Sequence, residues 1–151
     1  MLIGVISDTH GLLRPEVGRF LRTCGHIIHA GDVGGEDTLI QVRSIAPSSI
    51  VRGNVDDEGW ATALPETVTI RLKHRAICVI HDLGRLGMDP AGFDIVVYGH
   101  SHIPAIRKEG GVTFLNPGSA GPERFGRPAS YAWIEIGPAV RMGIEELKGL
   151  P

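Results

Sequence analysis

Seven side chains in this sequence have the chemistry of metal ligands: Asp8, His10, Asp32, Asn54, His81, His100 and His102. Together they offer two carboxylates, one amide oxygen and four imidazoles. Structural zinc sites take about four ligands and usually include cysteine, so seven donors without a thiolate exceed the needs of one ion. Two ions sharing a carboxylate would use all seven and leave positions open for water. Four imidazoles disfavour calcium and magnesium, which prefer all-oxygen cages. A mixed nitrogen and oxygen set suits the divalent transition metals manganese, iron, zinc and nickel and does not choose among them.

The donors fall at the ends of apolar runs. Ser7-Asp8-Thr9-His10-Gly11 follows the run Leu2–Ile6, and Ala30-Gly31-Asp32 follows His26–His29. Gly53-Asn54 follows 49–52, His81 follows 76–80, and Gly99-His100-Ser101-His102 follows 94–98. Short apolar runs of this kind read as strands buried on both faces. In open α/β sheets the carboxyl ends of the strands line the ligand crevice. Glycines beside the donors permit sharp turns and close backbone approach, which accounts for part of an unusually high count of 21 glycines.

Helices are expected over 14–22, with Pro15 in the first turn and Gly25 closing it, and over 36–44, ending before Pro47. The first third thus reads β-α-β-α-β, the pattern of a parallel sheet with crossover helices. Thr67–Leu72 and 76–80 read as a hairpin joined by residues 73–75. Residues 88–92 read as a single helical turn, and 105–107, 112–115, 131–136 and 140–144 as further short strands. The expected fold class is α/β: two packed mixed sheets flanked by helices, a four-layer αββα sandwich forming a single domain over 1–151.

Composition narrows the function. The chain has 151 residues, 42% of them apolar and 21% charged, with a net charge of −2; this excludes an intrinsically disordered chain. The absence of a basic run argues against a strong nucleic-acid surface. No apolar run is long enough for a membrane helix, and Asp8 interrupts the N-terminal apolar stretch too early for a signal peptide, so a cytoplasmic protein is expected. Cys24 and Cys78 read as small core residues that stay reduced. His26, His29 and His74 read as structural or solvated, with His29 near enough to Asp32 to touch its surroundings. No G-x-S-x-G elbow and no phosphate-binding P-loop motif occur. Asp56, two residues beyond Asn54, is a candidate for proton transfer.

With these motifs in place, the sequence resembles the calcineurin-like metallophosphoesterases, and within them the short single-domain bacterial and archaeal phosphodiesterases. The matching stretches are Ile6-Ser7-Asp8-Thr9-His10-Gly11, His29-Ala30-Gly31-Asp32-Val33, Val51-Arg52-Gly53-Asn54, Val97-Tyr98-Gly99-His100-Ser101-His102 and Asn116-Pro117-Gly118-Ser119. The resemblance implies that Asp8, His10 and His102 bind one ion and that Asn54, His81 and His100 bind the other, with Asp32 bridging. It implies a site wall at Asn116–Ser119 and a functional arginine at Arg124. The implied activity is metal-dependent hydrolysis of a small phosphoester, most naturally a phosphodiester, by in-line attack of a metal-bridging hydroxide. Asp32, Asn54, Asp56 and Arg124 are the catalytic candidates.

Two departures stand out. Val55 stands where the wider family has a histidine able to protonate a leaving group and the small members usually have a cysteine. Asp82 follows His81 where glycine is usual. The alternative function is a binding scaffold on the same fold, for which the retromer subunit that resembles this family is a precedent. A homo-oligomer is left open.

Overall fold

The computed structural model describes residues 1–148; of the domain span 1–151, residues 149–151 lie outside the described residues. Ten strands and two α-helices follow in the order β1 (Leu2–Ile6), α1 (Pro15–Leu21), β2 (His26–His29), α2 (Glu36–Ile45), β3 (Ser48–Ile50), β4 (Thr67–Leu72), β5 (Arg75–Ile80), β6 (Ile95–Val97), β7 (Ala105–Glu109), β8 (Val112–Asn116), β9 (Ser130–Ile136) and β10 (Val140–Glu146). They form two five-stranded mixed sheets, ordered β10-β9-β1-β2-β3 and β4-β5-β6-β8-β7. β1, β2 and β3 run parallel in the first sheet; β5, β6 and β8 run parallel in the second. The antiparallel strands sit at the flanks of each parallel trio.

The alternation of side chains explains the stacking. Ile3 and Val5 of β1, Ile28 of β2, Ile77 and Val79 of β5, and Ile95 and Val97 of β6 all point between the sheets, where they meet Leu115, Ala132 and Ile134. The intervening residues pack outward. Ile6 and Ile27 lie under Val17 and Leu21 of α1 and Leu39 and Val42 of α2. Cys78 and Val96 pack with Val112 and Phe114 on the far side of the second sheet. Because the central residues of β1, β5 and β6 are covered on both faces, those residues are apolar or small and read as short apolar runs. Burying each Ile or Val side chain is worth roughly 1.5–3 kcal/mol.

The outer layer on the second sheet is thin. Leu83, Leu86 and Phe93 cover it, and the local helices there are the 3₁₀ turns Leu83–Arg85 and Pro90–Gly92. Both are capped by the aspartate before them, Asp82 accepting from Gly84 N–H and Asp89 from Ala91 N–H. The single turn expected over 88–92 is therefore shorter and has a companion upstream. The β4–β5 hairpin is also tighter than expected: Arg75 belongs to β5, and Lys73 and His74 alone make the turn, both at positive φ. Among the described residues no helix is long and apolar enough to cross a membrane.

Candidate metal centre

The parallel strands of both sheets end at one edge of the sandwich, and the loops that leave them converge there. Asp8 leaves β1, Asp32 leaves β2, His81 leaves β5 and His100 follows β6, while Asn54 stands beyond β3. The backbone at these points is unusual: Asp8, His10, Asp32, His100 and His102 all have φ between 46 and 72°. Left-handed backbone is uncommon outside glycine, and Asp, Asn and His tolerate it better than most. Residues held there concentrate at functional sites. Two glycines provide the clearance the carboxylates need. A Cβ on Gly53 would collide with the Asp32 carboxylate, and one on Gly99 would collide with Ser7 Oγ, the group that fixes Asp8.

Asp8 is fully buried. Its Oδ2 accepts from Ser7 Oγ at 2.6 Å and from His100 N–H at 3.2 Å. Its Oδ1 is buried without a hydrogen-bond donor, yet it faces His102 Nε2 at 3.2 Å, His10 Nε2 at 3.7 Å and His81 Nε2 at 3.9 Å. Asp32 is held by Val55 N–H on Oδ1 at 3.1 Å, leaving Oδ2 3.2 Å from His81 Nε2 and 3.6 Å from His10 Nε2. Asn54 Oδ1 stands 3.1 Å from both His81 Nε2 and His100 Nδ1. All seven side chains predicted from the sequence are thus brought together, and Asp32 stands between His10 on one side and His81 on the other.

Ring orientation shows what these atoms are prepared to bind. His81 Nδ1 lies 2.7 Å from the Ala30 carbonyl, which only accepts, so Nδ1 carries the proton and Nε2 of the neutral ring presents its lone pair. That lone pair faces three oxygens, Asn54 Oδ1 at 3.1 Å, Asp32 Oδ2 at 3.2 Å and Asp8 Oδ1 at 3.9 Å. His10 Nε2 and His102 Nε2 face each other at 3.3 Å across the Asp8 oxygen. Imidazole nitrogens gathered around a buried carboxylate oxygen that lacks a hydrogen-bond donor suit a cation among them, and a carbonyl-oriented imidazole is the usual support of a metal-binding histidine. Asp8, His10 and His102 form one group with ligand distances, and Asp8, Asp32 and His81 another. The residues therefore fit a pair of divalent ions.

Burial pushes the Asp8 carboxyl up, but the facing His10 and His102 rings and the hydrogen bond from Ser7 outweigh it and hold the group well below the usual carboxylate range. Asp32 is likewise lowered: burial opposes the charge, and His81 and the Val55 N–H overcome it. In His81 burial disfavours the cation, while Asp32 and Asp8 favour it and raise the pKa.

The other candidates stand elsewhere. Asp56 is buried, but its Oδ2 accepts from Val33 and Gly53 N–H and its Oδ1 from Gly34 N–H, at 2.9–3.1 Å. Both oxygens accept from the backbone of two loops, so Asp56 ties those loops together behind the site. Arg124 is exposed in the tight turn it forms with Arg127, and no recorded hydrogen bond or ion pair joins it to the seven side chains. A cavity of about 200 Å³ opens beside Asn54, His81 and His100, and the guanidinium-bearing residues lining it are Arg52 and Arg85. Arg52 pairs with Glu66 at 3.0 Å. Nothing in the spacing marked Arg85; the only signal was its position four residues past His81. The Asn116–Ser119 stretch braces the site from behind: Asn116 Nδ2 donates to the Gly99 carbonyl and to Ser101 Oγ, and Ser119 Oγ sits 3.1 Å from the Asp8 carbonyl.

Fold and site together define a two-sheet α/β sandwich with candidate metal ligands on the loops beyond the parallel strands. Residues 1–138 match the family model of the calcineurin-like phosphoesterase superfamily domain, and the chain belongs to that superfamily. It is 35% identical over 134 residues to a probable metallophosphoesterase from Methanothermobacter thermautotrophicus, covering 79% of this chain and 77% of the relative. It is 31% identical over 97 residues to the phosphodiesterase YfcE of Escherichia coli, covering 56% of this chain and 50% of that protein. Among solved structures, a predicted phosphoesterase from Streptococcus pneumoniae superimposes with a TM-score of 0.77 at 25% identity, over 96% of this chain and 88% of the other. Vps29 from Chaetomium thermophilum shares the fold, with a TM-score of 0.79 at 19% identity over 97% and 95% of the two chains.

Proposed function

We propose that this protein is a metal-dependent phosphodiesterase whose seven donors hold two divalent ions. Asp8, His10 and His102 would hold one, Asn54, His81 and His100 the other, and Asp32 would be shared. The observation that carries this reading is the buried, donor-less Asp8 Oδ1 ringed by imidazole nitrogens. When bound, two such ions supply hydroxide from bound water near neutral pH and positive charge for the phosphoryl oxygens in an in-line displacement. Manganese is the favoured ion, ahead of iron, nickel and zinc.

The protein's own part is positioning. Ser7 and His100 N–H orient Asp8, Val55 N–H orients Asp32, and the Ala30 carbonyl fixes the His81 ring. On the wall of the adjoining cavity Arg52 is paired with Glu66, and Arg85 is the guanidinium placed to attract an anionic phosphoester. The Val55 side chain is exposed beside Asn54 and has no proton to give, and Asp56 is occupied with backbone amides. The leaving group must then depart without a side-chain acid, which favours a diester with an acidic leaving group over a simple alkyl monoester. The phosphodiesterase name of YfcE supports the same choice.

Asp32→Ala tests this reading. Loss of a shared ligand is expected to cut manganese-dependent hydrolysis of an aryl phosphodiester at least ~100-fold, the upper effect of removing a mere supporting partner, and to lower the bound metal measured by elemental analysis. Retained turnover sinks the site assignment. The scaffold alternative rests on a fold shared with Vps29. It predicts no turnover in the metal-loaded wild-type protein.

A further inference from the structure

The loop between β8 and β9 ends in a turn that the proposed chemistry does not use. Arg127 N–H donates to the Arg124 carbonyl at 2.9 Å, and the two central residues, Phe125 and Gly126, have φ of 56° and 67°. Positive φ at both positions is the type I′ pattern, which strongly prefers Asn-Gly or Gly-Gly. A phenylalanine at its first central position is an outlier for so bulky a residue. Its ring gains nothing from the core in return: Phe125 is 79% exposed, the most exposed of the large apolar side chains among the described residues. It stands at the candidate metal centre, its centroid 6.3 Å from that of His102 in an edge-on arrangement.

The base of the loop is fixed where the tip is free. Ala120 N–H donates to the Ser7 carbonyl, Arg14 Nε donates to the Gly121 carbonyl at 2.6 Å, and Ser119 Oγ donates to the Pro122 carbonyl. A Cβ on Gly121 would collide with the Thr9 carbonyl, so the loop sits directly on the segment joining Asp8 to His10. A strained, exposed aromatic ring on a firmly seated loop beside the reacting site is placed for a ligand. Leu12 and Ile103, which follow His10 and His102 closely in sequence, are also exposed and extend the apolar character of this side.

We infer that Phe125 is a specificity residue that packs against an aromatic arm of the phosphodiester, the arm that stays on phosphorus. This rests on the phosphodiesterase reading above. In an in-line displacement the leaving group departs opposite the attacking oxygen, so the retained arm lies to the side of that axis, and it is this arm that we assign to Phe125, beside His102. The substrate class is thereby narrowed to diesters with an aryl or heteroaryl group on the retained arm.

The experiment compares the manganese-loaded protein on phenyl p-nitrophenyl phosphate and methyl p-nitrophenyl phosphate, which share a leaving group and differ in the retained arm. KM is expected to be about three- to tenfold lower for the phenyl ester, the worth of an aromatic pair. Phe125→Asn suits the turn better than the native residue while removing the ring, and is expected to erase the preference. Phe125→Trp keeps it. Independently of turnover, calorimetric affinity for phenylphosphonate over methylphosphonate should follow the same order. Equal KM values in the wild type, or a phenyl preference that survives Phe125→Asn, overturn the role of Phe125 and leave the phosphodiesterase reading intact. A metal-loaded wild type that hydrolyses neither ester overturns both.

Discussion

His29 is the most enclosed histidine of the molecule, fully buried at the end of β2. Gly31 N–H donates to its Nδ1 at 3.2 Å, so the neutral ring carries its proton on Nε2 and gives it to Thr9 Oγ1, which donates in turn to the Val33 carbonyl. A second proton would set Nδ1–H against Gly31 N–H. Burial accordingly pushes the His29 pKa down to about 4 from 6.5. The unfolded chain then binds a proton that the folded protein refuses between those values, so stability is complete above pH 6.5 and falls as pH drops toward 4. The span corresponds to about 3 kcal/mol at most. Urea unfolding of chelator-treated protein across pH 4–7 measures it, and His29→Gln, which has no second protonation state, is expected to flatten the curve relative to wild type. The same scale shows what residue types reveal. Asp, Asn and His at the ends of apolar runs were legible because metals demand those donors. The left-handed backbone of Asp8, His10, Asp32, His100 and His102 was not, since it is imposed by loops packing against distant partners. Arg85 and Phe125 escaped because an exposed arginine or phenylalanine carries no local signal.

Among the elements, those covered on both faces announced themselves. β1, β2 and β5 begin and end within a residue of their expected limits, because each is centred on apolar residues buried in the sandwich. Where a turn sets the boundary, sequence chemistry misled: Lys73-His74 occupies a tight two-residue turn at positive φ without the Asn-Gly or Gly that such turns prefer, and the loop was read one residue too long. Asp56 illustrates the same limit between elements. An acidic residue two places past Asn54 suggests chemistry, whereas its carboxylate ties the loop after β2 to the loop after β3 through the N–H groups of Val33, Gly34 and Gly53. Asp56→Asn keeps the shape but has one acceptor oxygen, leaving at least one buried N–H unpaired. The expected loss is about 1–3 kcal/mol in denaturant unfolding, with weaker metal retention and an unchanged shape of the pH–rate profile. Disappearance of a limb of that profile would instead restore Asp56 to proton transfer.

At the scale of the whole molecule, two sheets were legible from the shift from βα units to short strands, but their membership was not. β9 and β10 return from the end of the chain to pair beside β1, and Met1 is bonded to Ile136 across a separation of 135 residues. Strand periodicity carries no label for the sheet a strand joins. This long-range closure also explains how the centre exists at all: His10 and His102 stand 92 positions apart in sequence with their ring nitrogens 3.3 Å apart, an arrangement the unfolded chain does not hold. Metal that binds only the assembled site stabilises the fold by mass action, by about 2.7 kcal/mol at a free concentration 100 times Kd. For a domain near 150 residues this raises Tm by roughly 5–10 °C. Thermal unfolding of chelator-treated protein, with and without added manganese, is expected to show that shift. Asp32→Ala is expected to lose most of it, because Asp32 stands between His10 and His81 and its removal separates the two halves of the centre. A shift of full size in the variant would mean that the metal binds elsewhere on the folded chain, and that the convergence of the two sheets serves some other end.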